Sequence, residues 1–489
     1  MARRIGLLFA FGLAATGVWA QVGSEPDPAA PARYEITEIE YDIVGRTTQW
    51  AVERNSEDLR EGVTFATLSE LEAFLADQQQ ILTNVRPLAK ASVLYEIRPR
   101  DSQPDAVVVY VNTKDTWNVL ALPYFRYDSN SGLLLSIRAR DYNFLGSLET
   151  LRVDLDYEED TDGNPEYSYD WRFTLPFQWR GYDWSWQLSQ ELGVSDGDVE
   201  GGGSTSIGIA LPIAEHDYNL TYTQAYEYDS RRDNDEAEDE YNRHSLESRL
   251  AFGTSYDTGL SLPAFGELRY GPSVSAGVPY WFGEQIAFAD RGLTLGFSHG
   301  LSAGRVDWIG NFREGAKLSL SNPVTYDTFE GVVSTSANYS AAGYLELDPF
   351  GFSGRVSGFY NFDKSDGSAN VTDDAAGPIR GILNDKMEGD VAFFWNTDVT
   401  LKVWTIGNFV EGQGSIFFDG GFVTSRDEPW DNRNDFKWSL GIEAIGFPLF
   451  ARSLYVRISL GFDMREVIEA GQLLGDRKRE IFIGLGHLY

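Results

Sequence analysis

One pentapeptide of the chain matches the surroundings of a catalytic serine. Gly296-Phe297-Ser298-His299-Gly300 fits the Gly-x-Ser-x-Gly pattern, and a histidine follows the serine directly. That chemistry requires the serine to stand on a sharp turn between a strand and a helix, where its hydroxyl is exposed as a nucleophile. Residues 293–301 instead continue a strand pattern, and no helical pattern follows them. We therefore predict that the protein is not an enzyme.

Composition excludes several other kinds of site. The 489 residues contain no cysteine, which removes disulfides, thiolate metal sites and thiol nucleophiles. Four scattered histidines offer little for a metal, and the acidic runs 158–162 and 233–240 lack the glycine and terminal glutamate of a calcium loop. We expect neither a metal nor a cofactor. The formal charge of −34, from 74 acids and 40 bases, argues against nucleic acid as a partner because phosphates would be repelled.

Residues 1–20 have the features of a secretory signal peptide. A pair of arginines precedes an apolar stretch from Ile5 to Ala15, and small residues surround the predicted cleavage before Gln21. Residues 21–33 contain three prolines and are predicted to be a linker. The apolar stretch is shorter than the roughly 20 residues that a membrane-spanning helix needs. Since no later segment could span a bilayer as a helix, the exported chain is either soluble or a membrane β-barrel.

Residues 34–113 have the pattern of a small α+β domain. Tyr34–Val44 alternates as a strand does, and Ser69-Glu70-Leu71-Glu72 fits a capping box that opens a helix. Val93–Ile97 and Ala106–Val111 follow as two more strands. A strand, a helix and a hairpin within about 80 residues are enough to build one such domain.

From about Val119 to Tyr489 apolar and polar residues alternate in short runs that Gly, Asn and Asp turns separate. Residues 151–157 and 454–462 show one face that suits lipid and one that suits water. A soluble sandwich also alternates, but so long a stretch without helices would usually be divided into linked domains. We therefore predict a mainly β protein, in which a transmembrane antiparallel β-barrel over residues 114–489 follows the small domain.

Several motifs together resemble the superfamily of bacterial surface antigens and outer-membrane protein assembly factors. In that superfamily, periplasmic polypeptide-transport-associated (POTRA) domains precede a 16-stranded barrel. Residues 34–113 resemble a single POTRA domain, and Asn143 and Gly146 match an Asn-x-x-Gly turn between the second and third barrel strands. The resemblance implies 16 strands, whereas we count about 18 candidate strands in the sequence, with the surplus between residues 243 and 304.

Two further motifs concern a long loop that folds back into the barrel in this superfamily. Ile379-Arg380-Gly381 resembles the family's Val-Arg-Gly-aromatic motif, although Ile382 stands in place of the aromatic residue. Phe417-Phe418-Asp419-Gly420-Gly421 resembles its Phe-x-Asp-x-Gly strand motif, and Asp398 stands where relatives carry an inward acid. Arg180-Gly181-Tyr182 is a closer literal match to the loop motif, but it lies too early and is interpreted as a turn.

The period of a strand gives an independent expectation for these acids. If Val391 and Val399 face lipid, then Asp398 faces the lumen, and the same argument points Asp419 inward. A guanidinium can make charge-assisted, bidentate contacts with carboxylates. The resemblance therefore implies that Arg380 pins the loop by contacts with Asp398, with Asp419 or with both.

The last predicted strand, Ile481–Tyr489, ends in an aromatic residue like the assembly signal of barrel proteins. In relatives the first and last strands meet at a seam, which corresponds here to Val119–Tyr127 and Ile481–Tyr489. Glycines in the last strand weaken packing and pairing, as an openable seam requires, but glycines that face a lumen also relieve crowding. Both interpretations fit equally. The residues singled out in this strand are Ile481, Ile483, Gly484, Leu485, Gly486 and Tyr489.

We predict an integral, monomeric outer-membrane barrel that helps polypeptides to insert into or cross that membrane, with its N-terminal domain in the periplasm. That domain would capture an extended client polypeptide at its sheet edge through backbone hydrogen bonds. The alternatives are a passive pore or an exporter of a single passenger, and then a surface adhesin or structural barrel. General assembly factors of the superfamily typically carry several periplasmic domains, so one domain argues against a central assembly machine.

Overall fold

The computed structural model describes most of the chain after residue 32. The predicted signal peptide, nearly all of the linker, the acidic run 233–240 and Tyr489 lie outside the described residues. By contacts the chain divides into two compact units, one of residues up to 42, 57–79 and 92–111, the other of residues 43–56, 80–91 and 112–489. The described residues are 33–101, 104–128, 132–159, 164–195, 197–213, 216–230, 244–281, 292–329, 331–362, 377–382, 387–426, 429–431, 434–450, 454–470 and 479–487.

Four strands and two helices precede the barrel strands. They are β1 (Tyr34–Val44), α1 (Gln49–Asn55), β2 (Thr64–Phe65), α2 (Leu68–Asn84), β3 (Leu88–Arg98) and β4 (Asp105–Asp115). The strands form one sheet in the order β2-β1-β4-β3, which leaves β3 at an edge. In the smaller unit, Ile36, Leu71 and Val107 are fully buried.

Helix α2 begins slightly earlier than the sequence pattern predicted. Its capping box is formed by Thr67 and Glu70 and not by Ser69 and Glu72. The backbone N–H of Glu70 donates to the Thr67 hydroxyl at 3.2 Å, and the N–H of Thr67 donates to the Glu70 carboxylate at 3.3 Å. Helix α1 was not predicted, because seven residues are too few to show a helical period.

The remaining strands form a closed antiparallel barrel in which β23 pairs with β5. The strands are β5 (Val119–Asp128), β6 (Gly132–Asp141), β7 (Leu151–Glu159), β8 (Pro165–Trp179), β9 (Tyr182–Ser195), β10 (Asp198–Ile213), β11 (His216–Asp229), β12 (His244–Thr254), β13 (Tyr256–Leu262), β14 (Gly266–Trp281), β15 (Thr294–Ile309), β16 (Phe312–Asp327), β17 (Val332–Leu347), β18 (Phe350–Asn361), β19 (Val391–Ile406), β20 (Val410–Thr424), β21 (Phe436–Pro448), β22 (Leu454–Asp463) and β23 (Arg479–His487), with helix α3 (Met464–Ala470) before β23.

The predicted fold class is confirmed, and the described wall has 18 strand positions rather than 16. Strands β12 and β13 both pair with β14 and are separated only by Ser255, so they occupy one position as an interrupted strand. The surplus segments between residues 243 and 304 all pair within the wall. Among the described residues, no helix combines the length and the apolar character needed to cross a membrane.

Alternation sets the two sides of each strand. In β19, Val399 and Val403 are 47% and 58% exposed on the outer face, whereas Ala392 and Phe394 are buried on the inner face. The pentapeptide with Ser298 lies inside strand β15, as its pattern predicted. The ring of His299 stacks on the exposed ring of Phe297, with 5.3 Å between the ring centroids. His299 therefore lies on the outer face of the strand. Because adjacent residues of a strand face opposite sides, Ser298 and His299 cannot form a nucleophile and base pair.

Candidate functional site

Residues 377–382, in the loop between β18 and β19, lie against the inner wall of the barrel. Asn396 of β19 donates from its side-chain nitrogen to the carbonyl oxygen of Pro378 at 2.8 Å. Ile379 and Ile382 are almost fully buried in an apolar cluster, so Ile382 anchors the loop where the superfamily has an aromatic residue. The other members of that cluster are Met387, Ala392, Phe394 and Val423, with Phe359 packed against it.

The guanidinium of Arg380 contacts both acids that the sequence singled out. Its Nε and Nη2 atoms donate to the two carboxylate oxygens of Asp419 at 2.7 and 2.8 Å, and Nη1 donates to Asp398 at 2.7 Å. The backbone N–H of Arg380 also donates to Asp419 at 3.2 Å. The side chain of Asp419 has no exposed surface, and that of Arg380 is 21% exposed. Such charge-assisted bonds are roughly twice as strong as neutral ones.

Strand pairing explains why these groups meet. Asp398 is paired with Phe417, and Asn396 is paired with Asp419, so the two carboxylates are diagonal neighbours on the lumen side of β19 and β20. The ring of Phe417 lies beneath the guanidinium, 4.0 Å from Cζ of Arg380 to the ring centroid. The cation is therefore held by two carboxylates and an aromatic face.

A third acid lies close to Arg380 and was not predicted. Glu443 of β21 places a carboxylate oxygen 3.9 Å from Nη1 of Arg380, and 3.5 Å from Nε of Arg457 on β22. Alternation along β21 would have pointed Glu443 inward, but no motif marks it. Ser353 of β18 completes the surroundings by donating from its hydroxyl to Asp398 at 2.9 Å. The cluster is an ionic anchor that spans several strands.

Glycines of the two motifs allow this close packing. A Cβ atom on Gly421 would lie 2.6 Å from both the carbonyl oxygen of Phe393 and the ring of Phe394. Gly381 has a φ of +86°, which favours glycine. The literal match at Arg180-Gly181-Tyr182 is elsewhere, since Arg180 and Gly181 form the two-residue turn between β8 and β9.

Asn143 and Gly146 lie in the turn between β6 and β7, where they contact residues 46–48 of the same compact unit. The fully buried side chain of Asn143 donates to the Thr47 hydroxyl at 2.8 Å and to Asp115 at 3.1 Å. The N–H of Thr48 donates to the carbonyl oxygen of Gly146 at 2.9 Å. Gly146 has a φ of +76°, and a side chain there would collide with the backbone of Arg46. The turn therefore holds an N-terminal segment at the end of the barrel wall.

Strand β23 contains Ile481, Ile483, Gly484, Leu485 and Gly486, and Tyr489 lies outside the described residues. Gly484 is paired with Arg457, and Gly486 is paired with Tyr455. Both glycines thus share the side of the sheet on which Arg457 approaches Glu443, which is the lumen. That these glycines relieve crowding in the lumen, or weaken the pairing of β23, stays a prediction.

The wall formed by β7 to β11 borders a lumen cavity of about 630 Å³. Arg152, Asp170 and Arg172 line it together with Glu191 and Glu200. Within the part of the chain that the structure describes, no group of three or more metal-ligating side chains is placed to hold an ion.

The comparisons with known proteins give structural neighbours and no sequence relatives. No protein-family model matches the chain, and no characterised protein matches it in sequence. CdiB from Acinetobacter baumannii is similar at 14% identity, covering 92% of this chain and 74% of that one, with a TM-score of 0.49. CdiB from Escherichia coli follows at 10% identity, with 95% and 91% covered and a TM-score of 0.43. BamA from Haemophilus ducreyi lacking POTRA domains 1–3 is similar at 12% identity, with 92% and 84% covered and a TM-score of 0.40.

The chain is a closed β-barrel similar to CdiB and BamA. At such identities and TM-scores these structures support no inference about activity, and the barrel is established by the chain's own strand pairing.

Proposed function

We propose that this chain is an integral outer-membrane barrel that helps polypeptides to insert into or cross that membrane. The observation that carries the proposal is the closure of the barrel between β23 and β5. Within the described residues, the strands beside this closure are shorter than the other strands of the wall, apart from β13, which has seven residues. Strands β5, β6 and β22 have 10 residues and β7 and β23 have 9, whereas β14 to β17 have 16 each.

Strand length sets both the height of the apolar surface and the number of interstrand hydrogen bonds. At 3.3 Å per residue, a nine-residue strand is about 30 Å long and a 16-residue strand about 53 Å. The two strands of the closure are short, so each can form few backbone bonds with its neighbour. A seam that opens there would offer free strand edges to an incoming polypeptide.

The sheet of the N-terminal region supplies a further edge for a client. Strand β3 has 11 residues and β4 as its neighbour on one side only. An extended polypeptide can add to such an edge through backbone hydrogen bonds, with little demand on its sequence. In this proposal residues 34–113 are a POTRA-like domain in the periplasm, where the edge of β3 would meet a client polypeptide before it reaches the membrane.

In this proposal Arg380 locks the inward loop to the wall. Its contacts with Asp398 and Asp419 join the loop to β19 and β20. Only β21 and β22 separate β20 from β23, the last strand before the closure. Apolar outer side chains such as those of Val399 and Val403 provide the lipid-facing belt, and their burial in the membrane stabilises the inserted barrel.

A passive pore, or an exporter of a single passenger, is the second candidate. The charged lining of the cavity beside β7 to β11 favours it, because charged side chains hold water in a lumen. A passive pore would need no contact with folding polypeptides.

Reconstitution of the full mature chain into liposomes tests the proposal. Unfolded barrel polypeptides are added, and their conversion to a heat-modifiable, folded form is followed on gels. An insertase should accelerate that conversion over protein-free liposomes, and a peptide copying a client strand should compete. A steady ion conductance with no acceleration and no competition would instead establish the passive pore.

A further inference from the structure

Four inward residues of neighbouring strands form a continuous row from the ionic anchor to the closure. Phe417 of β20 is paired with Gly441 of β21, Gly441 with Gly461 of β22, and Gly461 with Glu480 of β23. Paired residues face the same side of a sheet, and Phe417 faces the lumen beneath Arg380. The row therefore crosses the inner wall from the Arg380 contact to the strand that pairs with β5.

The two glycines make this row a trough that the loop enters. A side chain on Gly441 would overlap the ring of Phe417. A Cβ atom on Gly461 would lie 2.7 Å from Cα of Gly381, and one on Gly381 would lie 2.7 Å from the carbonyl carbon of Gly461. The backbones of the loop and of β22 thus touch directly, which glycine alone permits at both positions.

Glu480 holds the end of the trough. The backbone N–H of Gly381 donates to the Glu480 carboxylate at 2.6 Å, a short charge-assisted bond between the loop and β23. The positive φ of Gly381 gives the loop backbone the turn that it makes at this point. A single dipeptide, Arg380-Gly381, is thereby bonded to β19 and β20 through its arginine and to β23 through its glycine.

We propose that Glu480 is a positioning residue that ties the inward loop to β23 and so holds the closure between β23 and β5 shut. The inference rests on the proposed function, in which this closure is the seam that opens. Loss of the Gly381 bond removes this tie between the loop and β23, and the state of the loop is thereby coupled to the seam. None of the sequence motifs includes Glu480 or Gly461.

The absence of natural cysteines makes the seam directly measurable. Leu135→Cys on β6 and Ile458→Cys on β22 place two nitroxide labels on exposed outer positions, three interstrand spacings apart across the closure. Leu192→Cys on β9 and Phe252→Cys on β12 give a control pair that is also three strands apart, on another part of the wall. Electron paramagnetic resonance gives the distance distribution of each pair in the full chain in lipid.

Glu480→Ala should lengthen the seam distance by about 5 Å or more, one interstrand spacing, and broaden its distribution. The control pair should not change. Glu480→Gln should behave as the native chain, because its amide oxygen still accepts the Gly381 hydrogen. Glu191→Ala, which removes an exposed lumen acid of β9, should leave both distances unaltered.

Native seam distances in Glu480→Ala would overturn the inference, and so would an equal effect of Glu480→Gln. If Glu480→Ala gives no folded barrel, Gly461→Ala decides, since its Cβ displaces Gly381 and should open the seam equally. The measurement needs no client polypeptide. A seam that responds as described in a barrel that fails to accelerate client insertion would refute the proposed function and retain the coupling.

Discussion

Two walls of this barrel carry the same alternation of residues and differ in what covers them. On the wall formed by β19 to β22, many inward polar residues are buried to an exposure of 8% or less, and the loop tip of residues 377–382 lies against it. On the wall formed by β8 to β11, inward charged residues such as Glu166, Arg172 and Glu191 are exposed to the lumen. Buried inward residues of this covered wall include Asp419, Ser439, Glu443, Ser459 and Asp463.

The comparison shows that alternation decides the side of a residue but not its environment. A charge on the open wall keeps its water, so its interactions are weak and screened by salt. A charge on the covered wall has lost water and depends on its partners, which makes removal of one partner costly. Matched substitutions on the two walls should therefore have very different consequences.

The largest difference is expected for arginine. Arg380→Ala leaves the fully buried carboxylate of Asp419 without its main partner and should lower the free energy of unfolding by about 3–5 kcal/mol. Arg172→Ala, on the exposed face of β8, should change it by no more than about 0.5 kcal/mol. Urea denaturation in lipid, with heat-modifiable mobility to count folded barrel, measures both values. Equal losses for the two variants would mean that the loop tip does not create the special environment of the covered wall.

Much of the fold could be predicted because alternation is local. The strand Tyr34–Val44, the barrel class and the turn position after β6 all follow from short stretches of sequence. The features that the sequence did not predict depend on more than a short stretch of residues. Helix α1 is too short to show a period, and the capping box moved to Thr67 because two nearby residues can both start a helix. The break at Ser255 depends on how β12 and β13 share β14.

The candidate site divides in the same way. The sequence could propose Arg380, Asp398 and Asp419 together. A motif marks the loop and the strands, and the alternation of side chains along each strand points both acids into the lumen. Glu443, Gly461 and Glu480 could not be proposed, since their place beside the loop follows from the register of β20 to β23. Register between strands is set by the whole wall and is not written in any single segment.

A smaller difference is expected for glycine. Gly441→Ala on the covered wall adds a Cβ that overlaps the Phe417 ring and the Leu460 carbonyl, and overpacking of this kind costs about 1–3 kcal/mol. Gly354→Ala on β18 meets no atom within 4 Å and should leave the unfolding free energy nearly unchanged. The same urea titration compares them. A loss in Gly354→Ala as large as in Gly441→Ala would show that strand glycines matter here through backbone conformation and not through the trough.

The smallest difference in unfolding free energy is expected for isoleucine. It tests whether the side chains of the loop tip are packed as tightly as a protein core. Ile382→Val removes one methyl group from the apolar cluster and should cost about 1 kcal/mol, within the usual range for a buried isoleucine. Ile207→Val removes the same group from the outer face of β10, where the side chain is 46% exposed, and should cost less than about 0.5 kcal/mol. The pair isolates packing from charge because each substitution exchanges one apolar side chain for another. If both variants lose the same amount, the loop is held by the Arg380 contacts alone and its isoleucines add nothing to the covered wall.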